Sequence, residues 1–225
     1  HADRTVRYEW GSMGERRSLI YPDGTTVRMQ YDELLRQTGF IRSAAGQESL
    51  WSRYGYDSMG RLCEKHSSGG YHTSLCYDRA GRLKELRHED ATGILDRYRY
   101  EYNATGNKTA THKERRDLPG ESGSYRYSYD GLQRLTGVEK DGRSLRSYQY
   151  DPFGNRISME DHEHGIRSES SYDILNRLYE ERSCRFSAAG RSDADKCIYY
   201  EYDNRGNLTS EYEGENLLHG YAYNA

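Results

Sequence analysis

One motif, Tyr-Asp-x-x-Gly-Arg-Leu with small variations, recurs along the whole 225-residue chain. A repeat of this kind limits the fold more than any local feature, because each copy is one supersecondary unit that must stack on its neighbours. The clearest copies are YGYDSMGRL (54–62), LCYDRAGRL (75–83), YEYNATGNK (100–108), YQYDPFGNR (148–156) and YEYDNRGNL (200–208). Weaker copies are YEWGSMGER (8–16), MQYDELLRQ (29–37), YSYDGLQRL (127–135) and SSYDILNRL (170–178), and a truncated tenth, YAYNA, closes the sequence. The aromatic anchors are Trp10, Tyr31, Tyr56, Tyr77, Tyr102, Tyr129, Tyr150, Tyr172, Tyr202 and Tyr223. Their spacings run 21, 25, 21, 25, 27, 21, 22, 30 and 21 residues, which sets a basic unit of 21 with insertions at one turn.

The motif has the chemistry of a hairpin. Aromatic residues alternate as Tyr-x-Tyr, so both side chains leave an extended strand on one face. An Asp or Asn then starts a turn: Asp32, Asp57, Asp78, Asn103, Asp130, Asp151, Asp173 and Asp203. Three residues later stands Gly, in six of the nine complete copies: Gly14, Gly60, Gly81, Gly106, Gly154 and Gly206. Asp at the first position and Gly at the fourth predict a type I turn closed by a left-handed Gly. Arg61 and Arg82, or Asn in other copies, then open the return strand.

In the other three copies Leu35, Gln133 and Asn176 replace the Gly. Each follows a Leu (Leu34, Leu132, Leu175) and precedes an Arg (Arg36, Arg134, Arg177). This set predicts a second turn type whose Leu tucks under the sheet, with only Asn176 suited to a left-handed φ. The far end of each unit carries a second turn, at Gly69-Gly70, Asp141-Gly142, Gly165 or Gly190-Arg191. Nine units of two strands predict roughly 18 strands and an all-β fold of antiparallel hairpins in a spiralling sheet.

Composition agrees. Hydrophobic residues make up 34% of the chain and charged residues 31%, a balance that in a Pro-rich, aromatic-poor chain would mean disorder. Here Tyr occurs 23 times and Pro 3 times, so the reading is a folded β-protein with a thin core. The net charge of −3 is spread without a basic face, which excludes the usual electrostatic footprint for nucleic acid. No apolar run reaches membrane-span length. The sequence opens and stops in mid-pattern and is read as a piece of a longer chain.

These residues resemble the YD-repeat, or Rhs-repeat, family, and the resemblance covers residues 1–225 as a single repeat segment. Its members include bacterial Rhs and wall-associated polymorphic toxins, the B and C components of insecticidal toxin complexes, and teneurins. The resemblance implies a strip of β-sheet curled into a hollow shell. In the bacterial toxins that shell encloses a C-terminal toxin domain; in teneurins it belongs to an adhesion receptor. It also implies a secreted or cell-surface protein whose partners are the rest of its own shell and the enclosed domain. Toxin-bearing members carry an aspartate-based self-cleavage core with paired Asp-Pro-x-Gly elements. Asp151-Pro152-Phe153-Gly154 lies instead at an ordinary repeat turn with Pro at its second position, so that activity is not carried over.

Four cysteines form two pairs, Cys63 with Cys76 and Cys184 with Cys197, each separated by 13 residues. Two-residue loops at Gly69-Gly70 and Gly190-Arg191 would set each pair face to face, at non-hydrogen-bonded positions compatible with cross-strand disulfides. The alternative is two pairs of reduced, small packing residues. Glu160-Asp161-His162-Glu163-His164 offers two His for a metal from one strand face but no third ligand by spacing, and solvated charge is the plainer reading. His66 and His72 flank the Gly69 turn and carry the same two readings. Asn103, Asn107 and Asn207 match the glycosylation pattern but also serve repeat turns. No nucleophile–base spacing is present, and no cofactor or metal is expected. The Tyr ladder reads first as packing rungs of the sheet, and alternatively as a surface for stacking on sugars. The leading expectation is a structural shell segment that encapsulates or carries a toxin. The alternative is a carbohydrate-binding or adhesion module.

Overall fold

The computed structural model describes residues 5–187, 190–191 and 196–223. Among these the chain is strands and tight turns, apart from a 3-10 turn at Pro119–Glu121. It divides into two compact units: His1–Glu101 with Thr111–Gly123, and Tyr102–Ala110 with Ser124–Ala225.

The first unit contains β1 (Arg7–Trp10), β2 (Arg16–Ile20), β3 (Thr26–Tyr31), β4 (Gln37–Ala44) and β5 (Gln47–Tyr56). It continues with β6 (Leu62–Ser67), β7 (Tyr71–Tyr77), β8 (Leu83–Asp90), β9 (Gly93–Tyr102) and most of β10 (Lys108–Arg115). From β1 to β9 each strand pairs antiparallel with the next. The second unit contains β11 (Gly123–Tyr129), β12 (Leu135–Lys140), β13 (Arg143–Tyr150), β14 (Arg156–Asp161) and β15 (Ile166–Tyr172). Then follow β16 (Leu178–Ser187), β17 (Gly190–Arg191), β18 (Lys196–Tyr202), β19 (Leu208–Glu213) and β20 (Asn216–Gly220). It is the same antiparallel meander, with β17 folded onto the end of β16 while β18 pairs with its middle. The fold is all-β, as expected. The strands beyond the expected 18 are β17, inside the longest insertion, and β20, which opens the truncated tenth copy.

Each motif closes one hairpin. At 57–61 the Gly60 N–H donates to the Asp57 carbonyl (2.9 Å) and the Asp57 N–H to the Arg61 carbonyl (2.9 Å). Gly60 has φ of 80°, as a type I turn followed by a left-handed residue requires. The ladder then slips at Trp10, Tyr31, Tyr56, Tyr77, Tyr129, Tyr150, Tyr172 and Tyr202: Gly55 faces Glu64 but Tyr56 faces Leu62, leaving Cys63 in a bulge. Bulges of this kind raise the local twist.

The second turn type does not exist. Leu35 (φ 58°), Gln133 (φ 64°) and Asn176 (φ 60°) take the left-handed place of Gly, with the same pair of backbone hydrogen bonds. The preceding Leu34, Leu132 and Leu175 do not tuck under the sheet; they are 72%, 69% and 65% exposed. They occupy the outermost corner of the turn, where no neighbour can cover them.

The register also separates the cysteines. Ser67 pairs with Tyr71, so the distal loop is Ser68-Gly69-Gly70, three residues rather than two. Cys63 is thereby shifted one place from the position facing Cys76. Cys76 faces Glu85 on β8. Cys197 pairs with Arg182, two places from Cys184, which itself faces Arg167 on β15. All four are free thiols. Gly190 pairs with Ser187 and is part of a strand, not of the loop; residues 188–189 and 192–195 lie outside the described residues, as do Asn224 and Ala225 of the tenth copy. At Asp141-Gly142 the expected two-residue turn is present, both residues at positive φ.

The core is thin. Among the described residues Val27 and Ala110 are the buried apolar side chains, alongside the buried polar Ser18, Thr111, Ser158, Asp161 and Ser168.

Candidate functional site

The motif's polar side chains converge on its turn. Asp57 Oδ1 accepts from the backbone N–H groups of Met59 (3.0 Å) and Arg61 (2.9 Å), and Oδ2 from Arg61 Nε (2.7 Å). Asp32 with Arg36, Asp78 with Arg82, Asp130 with Arg134 and Asp173 with Arg177 repeat this arrangement. In Asp57, Asp78, Asp130 and Asp173 the backbone N–H of that Arg is the main cause of a carboxyl pKa below the usual range; partial burial opposes it and the guanidinium reinforces it. Where Asn follows the turn, Asn155 and Asn207 donate Nδ2 to Asp151 (2.8 Å) and Asp203 (2.9 Å). The turn beginning at Asn103 is held by Oδ1 accepting from the Asn107 N–H at 2.9 Å.

The first copy reaches the same end by exchange. Gly11 stands where Asp is absent, and Glu15 stands in place of Arg. The Glu15 carboxylate folds back so that a Cβ on Gly11 would lie 1.7 Å from its Oε1. From there it accepts from the Met13 N–H (3.1 Å) and from Arg17 Nε (3.0 Å).

The anchors bind one copy to the preceding one. Tyr56 Oη donates to the Gln37 carbonyl (2.7 Å), Tyr77 to Leu62 (2.9 Å), Tyr150 to Leu135 (2.8 Å) and Tyr202 to Leu178 (2.9 Å). Tyr31, Tyr129 and Tyr172 do the same to Arg16, Lys108 and Arg156. The turn arginines complete the joint: Arg36 lies over the Tyr56 ring (4.7 Å), Arg61 over Tyr77 (4.5 Å), Arg134 over Tyr150 (4.9 Å) and Arg177 over Tyr202 (5.0 Å). Trp10, in the first copy, carries Arg16 over its ring at 5.3 Å.

Copies ending in Asn use another joint. Asn107 Nδ2 and Thr105 Oγ1 both donate to Gln133 Oε1 (2.7 Å each), and Asn155 Nδ2 donates to Asn176 Oδ1 (2.9 Å). Gln133 and Asn176 are two of the residues in the Gly position. Across the chain, a copy with Arg after its turn is always followed by a copy with Gly: Gly60, Gly81, Gly106, Gly154 and Gly206. A copy with Glu15, Asn107 or Asn155 is followed by Leu35, Gln133 or Asn176. A Cβ built on Gly60 or Gly81 would touch Arg36 Nη1 or Arg61 Nη1 at 3.5 Å, an ordinary contact, and one on Gly106, Gly154 or Gly206 would meet nothing within 4 Å, so the positive φ rather than lack of space asks for Gly in these copies. The sequence contains this rule, but only when consecutive copies are compared.

Among the other candidates, Asp151-Pro-Phe-Gly154 forms the same turn as its neighbours. His162 and His164 lie in a turn, not on a strand face, each beside its own carboxylate. His164 Nδ1 is 3.1 Å from the buried Asp161 and His162 Nε2 is 3.8 Å from Glu160. Asp161 also accepts the N–H groups of Glu163 and His164; burial raises its pKa, and these bonds with the charges of His164 and Arg146 bring it down to about 2. His66 and His72 are brought face to face across β6 and β7.

A sheet of antiparallel hairpins tied copy to copy through Tyr, Asp and Arg defines a repeat-built shell wall. Over residues 107–225, just over half its length, the chain matches the model of the Teneurin YD-shell, and it belongs to that family. It is 35% identical over 94 residues to "Probable deoxyribonuclease RhsB" of Dickeya dadantii, and 29% identical over 101 residues to "Double-stranded DNA deaminase toxin A" of Burkholderia cenocepacia. These matches take in 41% and 45% of this chain and 6% of either relative. In the crystal structure of TcdB2-TccC3-TEV, a similar region superposes with a TM-score of 0.72 at 15% identity, covering 93% of this chain and 11% of that one. A Tc holotoxin pore from Photorhabdus luminescens gives 0.60 at 14% identity, over 92% and 13%. No described helix is long and apolar enough to cross a membrane.

Proposed function

We propose that this chain is a section of shell wall that encloses an effector domain within a secreted or surface protein of the Rhs type. The observation that supports this reading is the joint between copies. Its Tyr hydroxyls, turn carboxylates and guanidinium groups are engaged within the chain, as a wall requires. The thin core supports it too: among the described residues Val27 and Ala110 are the buried apolar side chains, which suits a sheet covered by further shell or by contents. The partners are accordingly the remaining repeats and the enclosed domain. The DNA-directed activities in the relatives' names are properties of those proteins. Limited proteolysis of the complete protein tests the proposal. The enclosed domain should resist added protease until the wall is opened by urea. Digestion as fast as that of the free domain would overturn it.

A glycan-binding role is the second reading, and one concavity favours it. Tyr179, Tyr199, Tyr200 and Tyr212 line a hollow of about 560 Å³ with Glu201 and Glu215 at its margin. Tyr199 and Tyr212 pair across β18 and β19. Flat aromatic faces beside carboxylates suit a sugar, whose apolar face stacks while its hydroxyls donate. Saturable binding on a glycan array, lost in Tyr199→Ala and Tyr212→Ala, would support this role; an array without signal would remove it.

A further inference from the structure

The same one-residue register that parts Cys63 from Cys76 places His66 opposite His72. Their rings stack at 4.3 Å with planes 13° apart. Glu64 lies two residues before His66 on the same face, its Oε2 3.6 Å from His66 Nε2. One nitrogen from each His and a carboxylate oxygen of Glu64 all lie within 4.8 Å of one another. Across the next strand, Glu89 Oε2 sits 3.4 Å from His72 Nδ1. His72 Nε2 is buried without a hydrogen-bond partner.

We propose that Glu64, His66 and His72 form a zinc site that staples β6 to β7 at their distal turn. Two imidazoles and a carboxylate are a donor set for Zn²⁺, with a fourth position left to water. Glu89 is a positioning residue. Its carboxylate is placed to accept the Nδ1–H of His72 and so to favour the tautomer that leaves the Nε2 lone pair for the metal. Arg87, its Nε 3.2 Å from Glu89 Oε2, balances the charge of that carboxylate without hydrogen-bonding to it through Nε. Tetrahedral ligands at normal zinc distances are about 3.4 Å apart, so the cluster must close and the stacked rings must tilt apart until their nitrogens converge on one ion. Glu64 and His66 can do this, their side chains being 54% and 50% exposed. Arg53 faces His66 from β5 and its charge weighs against a cation; with Glu89 already paired to Arg87, Glu64 is the carboxylate that offsets it.

The test titrates Zn²⁺ into the 225-residue chain with all four cysteines changed to Ser, because thiols would compete for the ion. Calorimetry should give one equivalent, and the ring signals of His66 and His72 should shift while those of His162 and His164 stay. His72→Ala should weaken binding at least 100-fold, and Glu89→Gln roughly 10- to 100-fold, as outer-shell partners do. His66→Gln, which keeps side-chain bulk, should also lose the site. His164→Ala should leave it intact. Absence of binding, or binding in His66→Gln and His72→Ala as tight as in the parent chain, would overturn the assignment.

Discussion

The guanidinium of Arg61 lies 4.5 Å above the ring of Tyr77 while its Nε remains 2.7 Å from Asp57 Oδ2. One side chain therefore closes its own turn and clamps the next copy. A cation over an aromatic face contributes about 0.5–1 kcal/mol at a partly exposed site. Lys keeps the charge but lacks the planar fork that meets carboxylate and ring together. Arg61→Lys should lower the urea midpoint. A double-mutant cycle of Arg61→Ala with Tyr77→Leu should return a coupling of roughly 0.5–1 kcal/mol. Additive single effects would show that the contact contributes nothing.

Acid should loosen the turns. The carboxyl groups of Asp32, Asp57, Asp78, Asp130, Asp151, Asp173 and Asp203 are all held below their ordinary pKa, and Asp161 is brought to about 2. A lowered folded-state pKa contributes stability that is present above the unfolded value and lost as pH falls toward the folded one. Thermal midpoints should hold from neutrality to about pH 5, then fall steadily toward about pH 2, because unfolded Asp titrates near 3.9. A flat profile across that range would contradict the geometry.

Much of this was legible in the sequence. Tyr-x-Tyr, Asp and Gly at fixed offsets specify strand, turn and left-handed closure, and the anchors, turn Asp and turn Gly sit where the motif placed them. Register was not legible, because Ser68-Gly69-Gly70 accepts a two- or a three-residue loop equally well, and one residue reverses every side chain beyond it. The Cys pairing failed for that reason, whereas His66 and His72, expected only in each other's neighbourhood across the Gly69 turn, stand directly opposite. The reading of Leu34, Leu132 and Leu175 failed because hydrophobicity was taken as burial at a corner with nothing to bury against. Ellman titration of the unfolded, unreduced chain should accordingly count four thiols.

The exchange of Gly11 and Glu15 makes its own test. An Asp side chain at position 11 would displace the Glu15 carboxylate, whose flexible end lies 1.7 Å from the position of its Cβ. Gly11→Asp alone should lower the melting point, with two carboxylates contesting one set of N–H donors. Gly11→Asp with Glu15→Arg rebuilds the common turn and should recover the loss. If the double variant melts below the single, the carboxylate at position 15 is not a substitute for the missing Asp.

The joint rule gives the sharpest contrast. Leu35 and Gln133 hold nearly the same φ, 58° and 64°, in the same turn. A left-handed conformation costs a non-Gly residue about 1–2 kcal/mol, and Gly returns part of that through its larger unfolded-state entropy. Leu35→Gly should therefore stabilise the chain by up to about 1 kcal/mol. Gln133→Gly relieves the same strain but removes the acceptor shared by Thr105 and Asn107, so it should be neutral or destabilising. Asn107→Arg alone should be destabilising, because its guanidinium would be directed at the Gln133 side chain. Combined with Gln133→Gly, it recreates the joint seen between Arg36 and Gly60. The pair should then be more stable than either single variant, with a coupling of about 1 kcal/mol. Denaturant titration of the four proteins decides the matter, and a coupling near zero would mean that consecutive turns choose their residues independently.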